Sequence, residues 1–124
     1  MVVFDTSILI DAMSGVGRAV AAIESYKGKE DAWITVVTKY ELLRSRRGID
    51  AQTAELLVES MNVYYLKDAE MRKSVEIYNA LRANGTPINE LDVLIAGIAL
   101  ANNQTLVTSD RDFEKVKLQG VRVV

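Results

Sequence analysis

The chain holds no histidine and no cysteine in its 124 residues. Without imidazole there is no Ser-His-Asp or Cys-His nucleophilic system, no histidine phosphoryl carrier and no imidazole zinc site. Without thiols there is no disulfide framework and no thiolate zinc site. No stretch approaches the ~18 uninterrupted apolar residues of a membrane span. The N-terminus lacks the basic segment and cleavage site of a secretory signal. The expected location is therefore the cytoplasm. Acid–base or metal chemistry must run on Asp and Glu, with Lys, Tyr, Ser and Thr as helpers. Oxygen-only ligands suit hard cations such as Mg²⁺ or Mn²⁺. The net charge of −2 argues by itself against a general electrostatic nucleic-acid binder, which is normally basic.

What is present is enough apolar material for a core: 49% of the residues, expected to form a single domain over 1–124. Val2 to Phe4, β-branched and aromatic, predict a strand, and Ser7 to Met13 a short helix. Ser14-Gly15-Val16-Gly17 is a turn before a second helix, Arg18 to Tyr26. Ala32 to Val37 predicts a strand and Thr38 to Arg47 a helix that stops near Gly48. Asp50 is placed to cap a helix reaching Ser60. Val63 to Leu66 predicts a strand, and Asp68 is expected to cap a helix to Ala83. On that helix Met71, Val75 and Tyr78, with Leu81 or Arg82, form a stripe at i, i+4, i+7 spacing. Asn84-Gly85 is a C-cap signal. After the connector Thr86-Pro87-Ile88, Asn89 opens a helix that is apolar on every side from Val93 to Ala101, so it must be buried all round. Asn102-Asn103 ends that helix. Thr105 to Val107 predicts a strand, Asp110 to Lys115 a turn of helix and Val121 to Val124 a last strand. Short strands alternating with helices give an α/β chain, with right-handed crossovers, a mostly parallel sheet and helices on both faces.

Several acids fall just past a predicted strand or in a first helical turn. Asp5 follows the first strand, Glu41 follows the second, Asp92 opens the all-apolar helix, and Asp110 follows Thr105 to Val107 with Asp112 behind it. Each has a plain explanation. Thr38-x-x-Glu41 has capping-box spacing, and Asn89-x-x-Asp92 resembles it. Asp5 and Asp110 can each be an N-cap, and acids in first turns gain from the helix dipole. Taken together they say more. Parallel strands bring their carboxyl ends to one edge, where ligands bind. Four carboxylates gathered there repel, and a divalent cation removes the conflict. A cation held by carboxylates suits phosphodiester hydrolysis. Thr6, Ser7, Thr108 and Ser109 lie beside the acids, placed to orient a carboxylate or a water. Ser7 reads best as a turn and cap residue. Setting aside Asp5, Glu41, Asp92, Asp110 and Asp112 leaves the rest of the chain at +3, five charges above the whole. Lys39, Arg44, Arg46 and Arg47 are then candidates to track a phosphate backbone. The plain alternative is a solvated helix face with a basic C-terminus that complements the dipole.

Asp5-Thr6-Ser7, Glu41-Leu42, Gly85 with Asn89-Glu90-Leu91-Asp92-Val93-Leu94-Ile95-Ala96, and Thr108-Ser109-Asp110-Arg111-Asp112-Phe113 occur in an order that resembles the PIN-domain family. The resemblance covers nearly the whole chain. The short length is similar to the VapC-type ribonuclease toxins of toxin–antitoxin pairs. The resemblance implies a three-layer α/β/α sandwich with a mostly parallel central sheet. It implies Mg²⁺ or Mn²⁺ held by Asp5, Glu41, Asp92 and Asp110, with Asp112 as an extra acid. It further implies cleavage of single-stranded RNA by metal-activated water, leaving a 5′-phosphate and a 3′-hydroxyl, with Thr6, Thr108 and Ser109 as supporting hydroxyls. A homodimer and a small antitoxin covering the site complete the expectation. Ser45 departs from the glycine that many relatives carry after the Glu-Leu pair. Two other classes compete. A receiver-type phosphotransfer domain needs an acidic pair after the first strand, where only Asp5 stands, and a haloacid-type phosphatase needs Asp where Ser7 stands. A non-catalytic binding or scaffold module would use the acids as caps alone.

Overall fold

Three β-branched or aromatic residues, Val2–Phe4, form β1, a fully buried strand inside a parallel sheet. The structure is a computed structural model that describes residues 2–26, 32–44 and 50–124. In chain order the elements are β1, α1 (Thr6–Met13), α2 (Gly17–Glu24), β2 (Ala32–Thr35), α3 (Val36–Arg44), α4 (Ala51–Glu59), β3 (Asn62–Tyr64), α5 (Asp68–Ala83), α6 (Glu90–Ala101) and β4 (Thr105–Val107), followed by a 3₁₀ segment, Arg111–Gln119. Among the described residues the sheet has four strands in the order β3-β2-β1-β4, each neighbouring pair parallel. The chain builds outward from β1 to β3, then returns to the other side of β1. The C-terminal end of β1 is thus the point where strand order reverses, and a crevice opens at such a point in an open α/β sheet.

Strand side chains alternate between the sheet's two faces, and the two apolar clusters follow that alternation. Val3 and Leu106 pack with Ile77, Leu81, Ile95, Ile98, Phe113 and Val116 beneath α5, α6 and the 3₁₀ segment. Val2, Phe4, Ile34 and Val107 pack with Ile8, Leu9, Ala19, Leu42 and Val58 beneath α1 to α4. The architecture is an α/β sandwich with a central all-parallel sheet, as expected. The all-apolar helix α6 is buried on most sides, with Ile95, Ala96, Gly97, Ile98 and Ala99 inaccessible or nearly so. No single helix among the described residues is long and apolar enough to cross a membrane.

Several boundaries or faces differ from the sequence expectation. The strand expected over Ala32 to Val37 ends at Thr35, because the Thr35 hydroxyl accepts the Thr38 N–H (3.1 Å) and starts α3 two residues early. The strand expected over Val63 to Leu66 lies instead at Asn62–Tyr64, in register with Trp33 to Thr35. Lys67, not Asp68, is the N-cap of α5. Its N–H donates to the Glu70 carboxylate (3.2 Å), and Asp68 pairs with Arg72 on the surface. The Met71, Val75 and Tyr78 stripe is exposed, and α5 buries Glu70, Ser74, Ile77 and Leu81. Polar groups occupy that buried face because each is satisfied there. Glu70 also accepts from Asn102 Nδ2 (3.1 Å), and the Ser74 hydroxyl donates to its own helix at the Glu70 carbonyl (2.9 Å). The last expected strand, Val121 to Val124, makes one parallel bridge, Val123 to Leu106, at the sheet's end. The later part of the helix expected from Thr38 to Arg47, its stop at Gly48, and Ser45, Arg46 and Arg47 lie outside the described residues.

Candidate active site

The end of β1 is where the chemistry gathers. Asp5 is 2% exposed and is the N-cap of α1, accepting the Ile8 N–H at 3.0 Å. The Ser7 hydroxyl lies 2.8 and 2.9 Å from its two carboxylate oxygens, and the Thr108 hydroxyl donates to Oδ2 at 2.6 Å. The Asp110 N–H in turn donates to the Thr108 hydroxyl (2.9 Å), and the Ser109 N–H to the Ser7 hydroxyl (3.2 Å). These bonds tie the end of β1 to the end of β4. Burial pushes the Asp5 carboxyl above its ordinary value. The donors from Thr108, Ile8 and Ser7 oppose that rise, and the nearby Asp110 charge adds to it. Turn and cap bonding is the role Ser7 plays, its hydroxyl donating to the carboxylate of the N-cap Asp5. Ser109 takes part through its backbone.

Glu41 comes to the same rim from α3, six residues after the strand end. The Thr38-x-x-Glu41 capping box does not form, because Thr38 lies inside the helix and Thr35 supplies the cap. Glu41 instead accepts the Thr6 hydroxyl at 2.6 Å through Oε1, and Arg44 lies 3.8 Å from Oε2. Asn89 caps α6 through Leu91 N–H (2.8 Å) without help from Asp92. Asp92 is left partly buried among other acids. Its carboxyl is pushed up to about 7, first by burial and then by the charges of Asp110, Glu41, Asp5 and Asp112. Asp110 caps the 3₁₀ segment through the Asp112 N–H (2.9 Å), and Asp112 lies 3.7 Å from the Lys115 ammonium. The other four acids singled out from sequence lie near enough for their charges to act on Asp92. As their side chains stand, no group of three or more among the described residues is close enough to grip a single ion. Asp5, Glu41, Asp110 and Asp112 each have a hydroxyl, backbone or cation partner. Of the basic candidates, Lys39 and Arg44 lie on α3 beside Glu41, with the Arg44 guanidinium 5.1 Å from the ring centre of exposed Tyr40.

The PIN domain profile matches residues 2–118. The chain belongs to the PIN-domain family. Solved structures share its fold over its whole length. VapBC-1 from nontypeable Haemophilus influenzae is 24% identical with a TM-score of 0.81, the match covering 100% of this chain and 97% of that one. A toxin–antitoxin complex from Klebsiella pneumoniae is 23% identical with a TM-score of 0.79, covering 100% and 96%. VapBC2 from Rickettsia felis, solved with a promoter DNA fragment, is 19% identical with a TM-score of 0.80, covering 100% and 98%. No curated protein sequence matches the chain. The end of β1, where Asp5 stands, is where the sheet order of this PIN domain reverses, and one feature of the surroundings escaped the sequence reading: the threonine chain behind Glu41. Its link from Thr38 to Thr6 spans 32 residues and forms only in the folded chain.

Proposed function

We propose that this PIN domain is a divalent-metal-dependent endoribonuclease, the toxin of a toxin–antitoxin pair, acting in the cytoplasm as a homodimer restrained by a small antitoxin. The observation that carries the reading is Asp92, raised to about 7 by burial and by four other carboxylates. Structural caps alone do not require five acids to share one rim, and such a grouping costs stability unless positive charge offsets it. The donor set is carboxylate oxygen throughout, which fits Mg²⁺ or Mn²⁺ and not softer metals. Asp5, Glu41, Asp92 and Asp110 would hold the ion, with Asp112 as an additional acid. Bound there, the ion supplies a positive charge that polarises a phosphoryl oxygen and lowers the pKa of water.

The chain's own groups do the rest. Ser7, Thr108 and the Ile8 N–H fix Asp5, so its oxygens need no reordering on binding. Glu41 would accept a proton from an attacking water or hold a second ion. Lys39 and Arg44 would carry the phosphate backbone. Attack on phosphorus would break the bond to the 3′-oxygen, leaving a 3′-hydroxyl and a 5′-phosphate. The toxin assignment draws on the likeness to VapBC and other toxin–antitoxin complexes over full chain lengths.

Cleavage of single-stranded RNA, run with Mn²⁺ and with EDTA, tests the proposal, with Asp5→Asn alongside. Asparagine can still accept the Ile8 N–H, so the fold should hold. Cleavage should need Mn²⁺ and fall at least ~100-fold in the variant, the upper end seen when groups around a metal are removed. Equal cleavage in EDTA, or by Asp5→Asn, would overturn it.

A further inference from the structure

Behind Glu41 lies a short chain of threonine hydroxyls. Thr35 and Thr38 are wholly inaccessible to solvent. Thr35 Oγ1 accepts the Thr38 N–H at 3.1 Å and lies 3.4 Å from Thr38 Oγ1. Thr38 Oγ1 lies 3.1 Å from Thr6 Oγ1, and Thr6 Oγ1 lies 2.6 Å from Glu41 Oε1. A hydroxyl has one proton to give. An ionised carboxylate only accepts, and its bond is the shortest of the four, so the Thr6 proton goes to Glu41. Thr6 Oγ1 also stands in the donor position toward Thr38 Oγ1, and Thr35 donates to Thr38, so Thr38 Oγ1 is the acceptor against which the Thr6 hydroxyl rests. The backbone N–H of Thr38 anchors the far end. The line crosses from α3 and the end of β2 to the first residue of α1, and it ends on a carboxylate that is otherwise free to swing on a long side chain.

We infer that Thr38, acting through Thr6, is a positioning residue that aims Glu41. With Oε1 held by Thr6, Oε2 is the oxygen left for a cation or a water, and Arg44 at 3.8 Å is its only competing partner among the described contacts. The inference rests on the metal site proposed above; it adds Thr38 and gives Thr6, already a supporting hydroxyl, a defined role.

The test is Mn²⁺ binding, read by electron paramagnetic resonance and by the Mn²⁺-induced rise in Tm, on the full chain without RNA. Thr38→Val removes the hydroxyl and keeps the shape. Thr6→Val cuts the last link at the half-buried rim, where folding is less at risk. Both should weaken Mn²⁺ affinity ~10-fold or more, as loss of an outer hydrogen bond to a metal-holding group does, and the Mn²⁺-induced rise in Tm should shrink accordingly. Thr38→Ser keeps the hydroxyl and should bind within about twofold of the wild type. In Glu41→Gln the further loss from Thr38→Val should vanish, since the two residues act as one unit. If the variants melt lower in EDTA but bind Mn²⁺ as wild type does, Thr38 is structural only and the inference fails alone. It fails alone too if Thr38→Ser binds as weakly as Thr38→Val. A wild-type chain that takes up no Mn²⁺ overturns the proposed function, and this inference with it.

Discussion

Asp92→Asn should make the metal-free protein more stable at neutral pH while removing its activity. The folded-state carboxyl is raised to about 7, whereas in the unfolded chain it titrates near ~3.9. Between those values the folded chain keeps a proton that the unfolded chain has released. Stability therefore falls as pH rises through that window, and above it the folded protein carries the full cost of a charged Asp92. The nominal cost of such a displacement is about 4 kcal/mol. The side chain is only partly buried, and solvent screening brings the figure to about 2 kcal/mol. Asparagine never takes the charge. In EDTA at pH 7.5 the variant should melt about 5–10 °C above wild type, and the gap should close as pH falls toward about 4. Cleavage in Mn²⁺ should fall on the order of 100-fold or more. A variant that melts lower than wild type at pH 7.5 would show that the acids around Asp92 do not burden the fold.

The location of this trade-off was legible in the sequence because the acids obey two rules at once. Asp5 and Asp110 are caps by geometry, each accepting a backbone N–H from the element it opens, and both also stand at strand ends that the parallel sheet gathers to one edge. Capping and convergence are not rivals here, since a cap must sit at a helix N-terminus and the strand ends lead directly into those termini. Glu41 was placed at the rim because it follows the second strand, with capping-box spacing from Thr38 as its plain explanation. That plain explanation does not hold, because Thr35 takes the cap and Glu41 accepts from Thr6. Spacing along one chain cannot reveal that exchange, because the decisive partner lies 35 residues away. The same limit hid Ser7 and Thr108 as a pair. They come from opposite ends of the chain and meet on Asp5 because β1 and β4 are neighbours.

Periodicity succeeded on α6 and misled on α5 for one physical reason. An all-apolar helix has no face to choose, so burial of α6 follows from composition alone. On α5 the sequence offers an apolar stripe, Met71, Val75 and Tyr78, and a mixed one holding Glu70, Ser74, Ile77 and Leu81. The mixed stripe goes inward because its polar groups find partners and because a small residue faces it across the helix pair. That small residue is Gly97, and nothing in a single-helix pattern shows which neighbour it will meet.

Gly97→Ala is accordingly the substitution expected to cost the fold most. A Cβ at this position would lie 2.7 Å from both the Cα and the backbone N of Ser74, and would collide with its Oγ. Backbone atoms of a packed helix cannot turn aside as a side-chain tip can. Relief requires α5 and α6 to part along the pair that carries the Ile77, Leu81, Ile95 and Ile98 core. Alanine gains about 1 kcal/mol in helix propensity, but overpacking at backbone contact costs about 3 kcal/mol or more. The net loss should be at least about 2 kcal/mol, a fall in Tm of about 8 °C. Adding Ser74→Gly removes the hydroxyl contact but leaves Cα and N in place, so the double variant should recover only part of the loss. Because Asp92 lies near the N-terminal end of the same helix, a displaced α6 also moves that carboxyl relative to Asp5 and Asp110. Cleavage by Gly97→Ala should therefore drop at temperatures where the chain is still folded. Melting within about 2 °C of wild type would mean that the two helices are not locked at this contact, and that the inward turn of the mixed face of α5 has another cause.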